Sequence, residues 1–162
     1  MHAERYSSPH TLIVIDDISP CHPTQAWRRR RSTAWTGDVW KLHQVLTKLR
    51  PELTLVALNV RTTGLLLVAG VDRTSTLLSE HYQALVAEHA VEQPPPNPVL
   101  EREGAVVSEH PVVKRLLGTL KQARLEQWDL ASVRHALAAL QPALQQAQTQ
   151  SREAVRATRL QG

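Results

Sequence analysis

Thr11-Leu12-Ile13-Val14-Ile15-Asp16-Asp17 is the stretch on which the fold turns. Its apolar and β-branched residues follow one another without polar alternation, after the breaker Ser7-Ser8-Pro9-His10, and stop at an acid pair. A short run of this kind, bounded by turn residues, reads as a strand buried on both faces, as in a parallel α/β sheet. Upstream, Met1 to Tyr6 has helical composition but is too short to fold alone. Downstream, Pro20, His22 and Pro23 make a loop, and Thr24 is placed to cap a short helix through Arg28-Arg29-Arg30-Arg31.

A second helix is expected from Gly37-Asp38. It carries Val39, Leu42, Val45, Leu46 and Leu49 on one face, Lys41, Gln44 and Lys48 opposite, and ends at Pro51. Leu53 to Val60 and Gly64 to Val71 read as two strands joined by Arg61-Thr62-Thr63. Asp72 or Ser75 then caps a helix with Leu77, Leu78, Tyr82, Leu85 and Val86 inward. Strand, helix, strand, strand, helix is an α/β pattern with a thin sheet.

Gln93-Pro94-Pro95-Pro96-Asn97-Pro98 reads as a semi-rigid extended linker and sets the clearest boundary in the chain. The expected division is an α/β domain over 1–92, the linker over 93–98, a helical appendage over 99–144, and a frayed or disordered tail over 145–162. Val112, Val113, Leu116, Leu117 and Leu120 make one helical stripe of the appendage, and Leu130, Val133, Leu137, Leu140 and Leu144 another. Pro142 either divides the second stripe or sits in a first turn.

Composition narrows the class. The 162 residues carry 19 Lys and Arg against 15 Asp and Glu, a net charge of +4, and 42% are apolar. That apolar share is too high for a disordered chain. No apolar run is long enough to span a bilayer, and no secretory h-region follows Met1, so the expectation is a cytoplasmic protein without a membrane partner. Cys21 is the lone cysteine, which excludes an internal disulfide. The Arg run beside Trp27 is one possible nucleic-acid patch, but a helix would spread four consecutive residues around its circumference.

Two segments carry candidate chemistry. Ligands of open α/β sheets bind beyond the carboxyl ends of the strands, where Asp16 and Asp17 fall, and a turn there aims both carboxylates at one hard cation such as Mg²⁺. The alternative is a plain strand-to-loop turn in which Asp accepts backbone N–H bonds. Trp35 and Trp40, around Gly37-Asp38, either wall a pocket beside the acid pair or serve as a helix start with packed indoles. The histidines show no ligand spacing; His22 is the one nearest the acids. No Gly-x-Ser-x-Gly elbow, Gly-x-Gly loop or Gly-Lys-Ser/Thr motif is present.

Leu12-Ile13-Val14-Ile15-Asp16-Asp17, Pro20, and Arg31-Ser32-Thr33-Ala34-Trp35-Thr36-Gly37-Asp38-Val39-Trp40-Lys41-Leu42 together resemble class I S-adenosylmethionine-dependent methyltransferases. The nearest likeness is to the bacterial macrocin-type, small-molecule O-methyltransferase-like group. Arg50-Pro51-Glu52-Leu53 and Thr63-Gly64-Leu65-Leu66-Leu67-Val68 extend it, so that it covers residues 3–100. The resemblance implies a partial Rossmann-like sheet: Thr11 to Ile15 as the fifth of seven strands, Leu53 to Val60 as the sixth, and Gly64 to Val71 as an antiparallel seventh between them. It implies Asp16 and Asp17 as metal ligands and Trp35, Gly37 and Asp38 as shapers of a substrate pocket. The Gly-rich loop and the acid that grip S-adenosylmethionine in the family have no counterpart in this sequence. Small-molecule O-methyl transfer is therefore expected as the family activity, with the chain inactive alone and no catalytic residue assigned. The first strand's open edge is expected to meet a complementary N-terminal chain or a second copy. The rival classes are a non-catalytic module pairing through that edge and a basic nucleic-acid binder.

Overall fold

The computed structural model describes residues 2–160. In chain order the elements are α1 (His2–Arg5), β1 (Ile13–Asp16), a 3₁₀ turn (Pro23–Ala26), α2 (Trp40–Leu49), β2 (Thr54–Leu58), β3 (Leu65–Ala69), α3 (Leu77–Glu80), α4 (Tyr82–His89), α5 (Asn97–Leu100), α6 (Pro111–Leu125), α7 (Leu130–Ala138) and α8 (Gln141–Leu160). The three strands form one open sheet in the order β1-β3-β2. β3 runs antiparallel to both neighbours, with Ile15 opposite Leu66 and Val56 opposite Leu67. β1 and β2 are therefore parallel to each other across it. Each strand is shorter than the apolar run that encodes it.

Alternation along the strands serves two cores. Val56, Leu58, Leu67 and Ala69 face one side, where they meet Val113, Leu116 and Leu120 of α6, Val133 and Leu137 of α7, and Leu144 of α8. Leu66 and Val68 face the other, with Leu46 of α2, Leu53 and Val71, and Ile13, Ile15 and Leu55 pack against them. Each fully buried aliphatic side chain contributes about 1.5–3 kcal/mol relative to exposure, so the helices after the Pro-rich stretch share in the main stabilising term of the sheet.

Several expectations change here. Apart from Leu117, which is 45% exposed, the two leucine stripes pack against β2 and β3 as well as against each other, so the segment expected as an appendage over 99–144 shares one core with the sheet. The 145–162 tail is helical through Leu160, with Ala147 buried; residues 161–162 lie outside the described residues. Pro142 both separates α7 from α8 and lies in the first turn of α8. The backbone is extended through Pro96, while Asn97 and Pro98 already belong to α5.

The Arg run is irregular loop rather than helix, and the preceding 3₁₀ turn is capped by the His22 side chain rather than by Thr24. The helix expected after Asp72 is two short helices with no buried residue: Asp72 accepts from the Thr74 N–H and hydroxyl, and Tyr82 and Val86 stay 47% and 40% exposed.

The sheet's two edges differ. At β2, Val106 donates its N–H to the Ala57 carbonyl and accepts from the Asn59 N–H, a one-residue parallel bridge. Backbone alternation then turns Leu55 and Ala57 outward and Val56 toward β3. Because β3 uses Leu65, Leu67 and Ala69 toward β2, Leu66 and Val68 serve β1, so Ile13 and Ile15 pair inward. Val14 and Asp16 turn their N–H and C=O groups out. Among the described residues no backbone group bonds to that outer edge, and Val14 is 52% exposed. β1 is therefore an edge strand with an antiparallel neighbour, rather than the strand of a parallel sheet buried on both faces that its apolar run suggested.

Candidate functional site

Asp16 ends β1 and is exposed. Its Oδ1 accepts from the Asp17 N–H at 2.7 Å and from the Thr63 hydroxyl at 3.3 Å. Asp17 takes a left-handed backbone (φ 66°), which Asp tolerates better than most residues. The chain then turns under the β2–β3 link, with Ile18 and Ser19 buried and the Ser19 N–H bonded to the Thr63 carbonyl at 2.7 Å. The Asp16 carboxylate thus does what a turn acid does, and it leaves Oδ2 and the Asp17 carboxylate for any ligand. Among the described residues no group of three or more His, Cys, Asp or Glu gathers as a metal site. A shell for Mg²⁺ takes about six oxygens. Two side chains of this chain do not by themselves make one.

Gln25 organises the Trp-containing loop. Its carbonyl accepts from the Thr36 N–H (3.0 Å), the Gly37 N–H (3.2 Å) and the Thr36 hydroxyl (3.1 Å), and its side chain accepts from the Cys21 N–H. Trp35 donates Nε1 to the Trp27 carbonyl at 2.6 Å and lies over Gly37, yet remains 43% exposed. Trp40 is buried at the start of α2. The two indoles therefore do not form one pocket wall.

Asp38 is held between two cations, Arg28 Nε at 3.0 Å and Lys41 Nζ at 3.4 Å. Lys41, expected on the solvated face of α2, is buried and also donates to the carbonyls of His89 (2.9 Å) and Val91 (2.8 Å). Lys41 and Arg28, whose side chain donates to the Ala90 carbonyl, thus tie the end of α4 to Asp38 and the Trp loop. No hydrogen bond or ion pair joins Asp16 and Asp17 to Trp35, Gly37 or Asp38 among the described residues. Lys41 gave no sequence signal, because its neighbours in the helical pattern are the ordinary polar positions of α2.

Arg50, at the end of α2, is buried and pairs with Glu4 at 2.6 Å and Glu52 at 2.5 Å. Burial opposes its charge, but the bonds to Glu52 and Glu4 outweigh it and hold the guanidinium above its ordinary value. Beside this pair an apolar hollow of about 220 Å³ opens between β1 and α2, lined by Ile13, Ile15, Leu42, Val68 and Leu78. A second hollow of about 380 Å³ shares Leu42 and Leu78 and continues to Tyr82 and Val86 of α4. Leu42, expected inward, is 37% exposed at their junction. Thus the chemistry-bearing loop, an apolar trough and the open strand edge all belong to the β1 side of the sheet. Comparison with family models, curated proteins and solved structures finds no match for the chain.

Proposed function

We propose that residues 1–92 form the last three strands of a class I S-adenosylmethionine-dependent methyltransferase sheet of the small-molecule O-methylating kind, and that residues outside 1–162 supply cofactor binding. The observation that carries the reading is the strand order: a last strand antiparallel between two mutually parallel ones, which the resemblance implies. The open β1 edge and the apolar trough beside it agree with a missing neighbour on that side. Asp16 and Asp17 offer carboxylates at the strand's carboxyl end, and Trp35 an exposed apolar wall for a substrate. The sequence carries no Gly-x-Gly loop, and among the described residues no third His, Cys, Asp or Glu joins the acid pair, so the reading assigns cofactor binding to another segment.

Calorimetry tests this directly. Purified 1–162 should give no binding heat with S-adenosylmethionine, with or without Mg²⁺. Co-expressed with a segment encoded directly upstream that carries a strand and a Gly-x-Gly loop, it should form a complex that binds the cofactor. Cofactor binding by 1–162 alone, or an upstream region without such a segment, would overturn the proposal.

One observation favours a second reading, a non-catalytic module that pairs through β1. Asp38 is neutralised by Arg28 and Lys41, and Asp16 is engaged in its own turn, which leaves little poised for reaction. A complex across β1 with no cofactor affinity would select it. Nucleic-acid binding is disfavoured because Arg28 pairs with Asp38, Arg30 donates to the Ser32 and Thr33 carbonyls, and Arg31 lies over Trp27 at 4.3 Å.

A further inference from the structure

The opposite edge of the sheet carries a separate feature, independent of the reading above. A cleft of about 750 Å³ runs along the outer side of β2. Leu55 and Ala57 lie along β2, His43 and Thr47 of α2 form one wall, and Gln145 and Arg152 of α8 the other. It occupies the place of the next strand, with helices already on both sides. The outward N–H and C=O of Leu55 and the N–H of Ala57 bond to no other backbone group among the described residues. Val106 shows that this edge takes parallel main-chain pairing, since it bridges Leu58 as a single residue at one end of the cleft. Immediately before it the chain turns away at Gly104, whose φ of +80° no ordinary side chain favours.

Charge distinguishes what fits. The two acids of the wall are already matched: Glu52 with Arg50 at 2.5 Å and Arg134 at 3.9 Å, Glu103 with Arg156 at 3.9 Å. Arg152 has no carboxylate within 4 Å among the described residues. Its guanidinium lies against Gly104, where a Cβ would come within 3.2 Å of Nε. The three glutamines of the α8 wall, Gln141, Gln145 and Gln148, fall at i, i+4 and i+7 with Arg152 at i+11, one polar stripe along the cleft.

We propose that this cleft takes an extended acidic peptide segment as an added strand on β2. Leu55 and Ala57 supply the main-chain bonds, and Arg152, with the glutamine amides beside it, reads the peptide's carboxylates. Main-chain pairing gives such complexes their affinity and the flanking side chains their selectivity.

The test is fluorescence anisotropy on the full chain with three labelled octapeptides. They are alternating Glu/Val, alternating Lys/Val, and Glu/Val N-methylated at alternate residues to remove its strand-forming N–H groups. The Glu/Val peptide should saturate, the other two should not, and Arg152→Glu, an exposed change on α8, should weaken binding by about tenfold or more. Absence of saturation by Glu/Val, equal binding of the Lys/Val or N-methylated peptide, or unchanged affinity in folded Arg152→Glu would overturn the proposal. A concentration-dependent dimer at this cleft that the Glu/Val peptide does not dissociate would place a second copy there instead, and would overturn it too.

Discussion

Arg50 and Lys41 are cations that folding removes from water, and each is held by oxygens that converge on it. Removing one partner of a buried pair strands the other charge, at a cost of about 3–5 kcal/mol. Arg50→Ala should therefore lower stability by about 3 kcal/mol in urea denaturation, and Arg50→Met combined with Glu4→Gln should recover much of that loss. An undiminished loss in the double variant would mean that packing rather than charge holds the site. His43 is half-buried beside the β2 cleft, and burial holds its imidazole below its ordinary value. The unfolded chain then takes up the proton first as pH falls below about 6.5, so this contribution is present at neutral pH and is lost on acidification. The denaturation midpoint should fall between pH 7.5 and pH 5, and His43→Asn should flatten that slope. None of these three burials was legible in the sequence, because burial of a Lys, Arg or His depends on which distant parts of the chain pack around it. Asp16, by contrast, stands at the strand end where the apolar run placed it, and its bond to the Asp17 N–H is the ordinary work of an acid at a turn.

At the scale of elements, α6, α7 and the first turn of α8 were readable, since their stripes at helical spacing name most of the residues that now share a core with the sheet. The rest of α8 was not, because apolar residues thin out after Gln145. What the stripes could not show is the partner: periodicity identifies a buried face but not the surface that buries it. The Pro-rich stretch suggested a division of the core where there is only a connection. α4 went the other way, because its apolar residues have the right spacing and remain uncovered. α6 and α7 also offer clean tests. Nothing lies within 4 Å of a Cβ built on Gly118, so Gly118→Ala should stabilise the protein by about 0.5–1 kcal/mol through helix propensity. Asp129 caps α7 by accepting from the Ser132 N–H at 2.8 Å, and that bond holds its carboxyl below the usual range. Asp129→Ala should lower the denaturation midpoint at neutral pH, as loss of an N-cap does. Because the cap's contribution is present above the unfolded pKa and lost as pH falls through the folded one, the gap between variant and parent should close in acid. A gap independent of pH would show that the carboxylate is not the cap.

For the whole molecule, the sheet has both faces covered over β2 and β3 and is open at β1, where an unpaired strand edge meets an apolar trough. The open edge was expected only through the resemblance, and Thr11 to Ile15 holds none of the Lys, Pro or Gly residues that discourage edge pairing. It did not indicate that α2 and the C-terminal helices would cover the rest. Val14→Lys places a charge on the exposed edge strand without touching either core, so it should suppress association while leaving the fold intact. The most direct measurement is hydrogen exchange at the Val14 amide, followed by NMR across a protein dilution series with sedimentation on the same samples. The account predicts that Ile13 and Ile15 are protected throughout. Val14 should exchange freely in dilute monomer and become protected only when a second chain binds, an effect lost in Val14→Lys. A protected Val14 amide in the dilute monomer would mean that the chain closes its own edge, and would contradict the claim that β1 is where another segment completes this sheet.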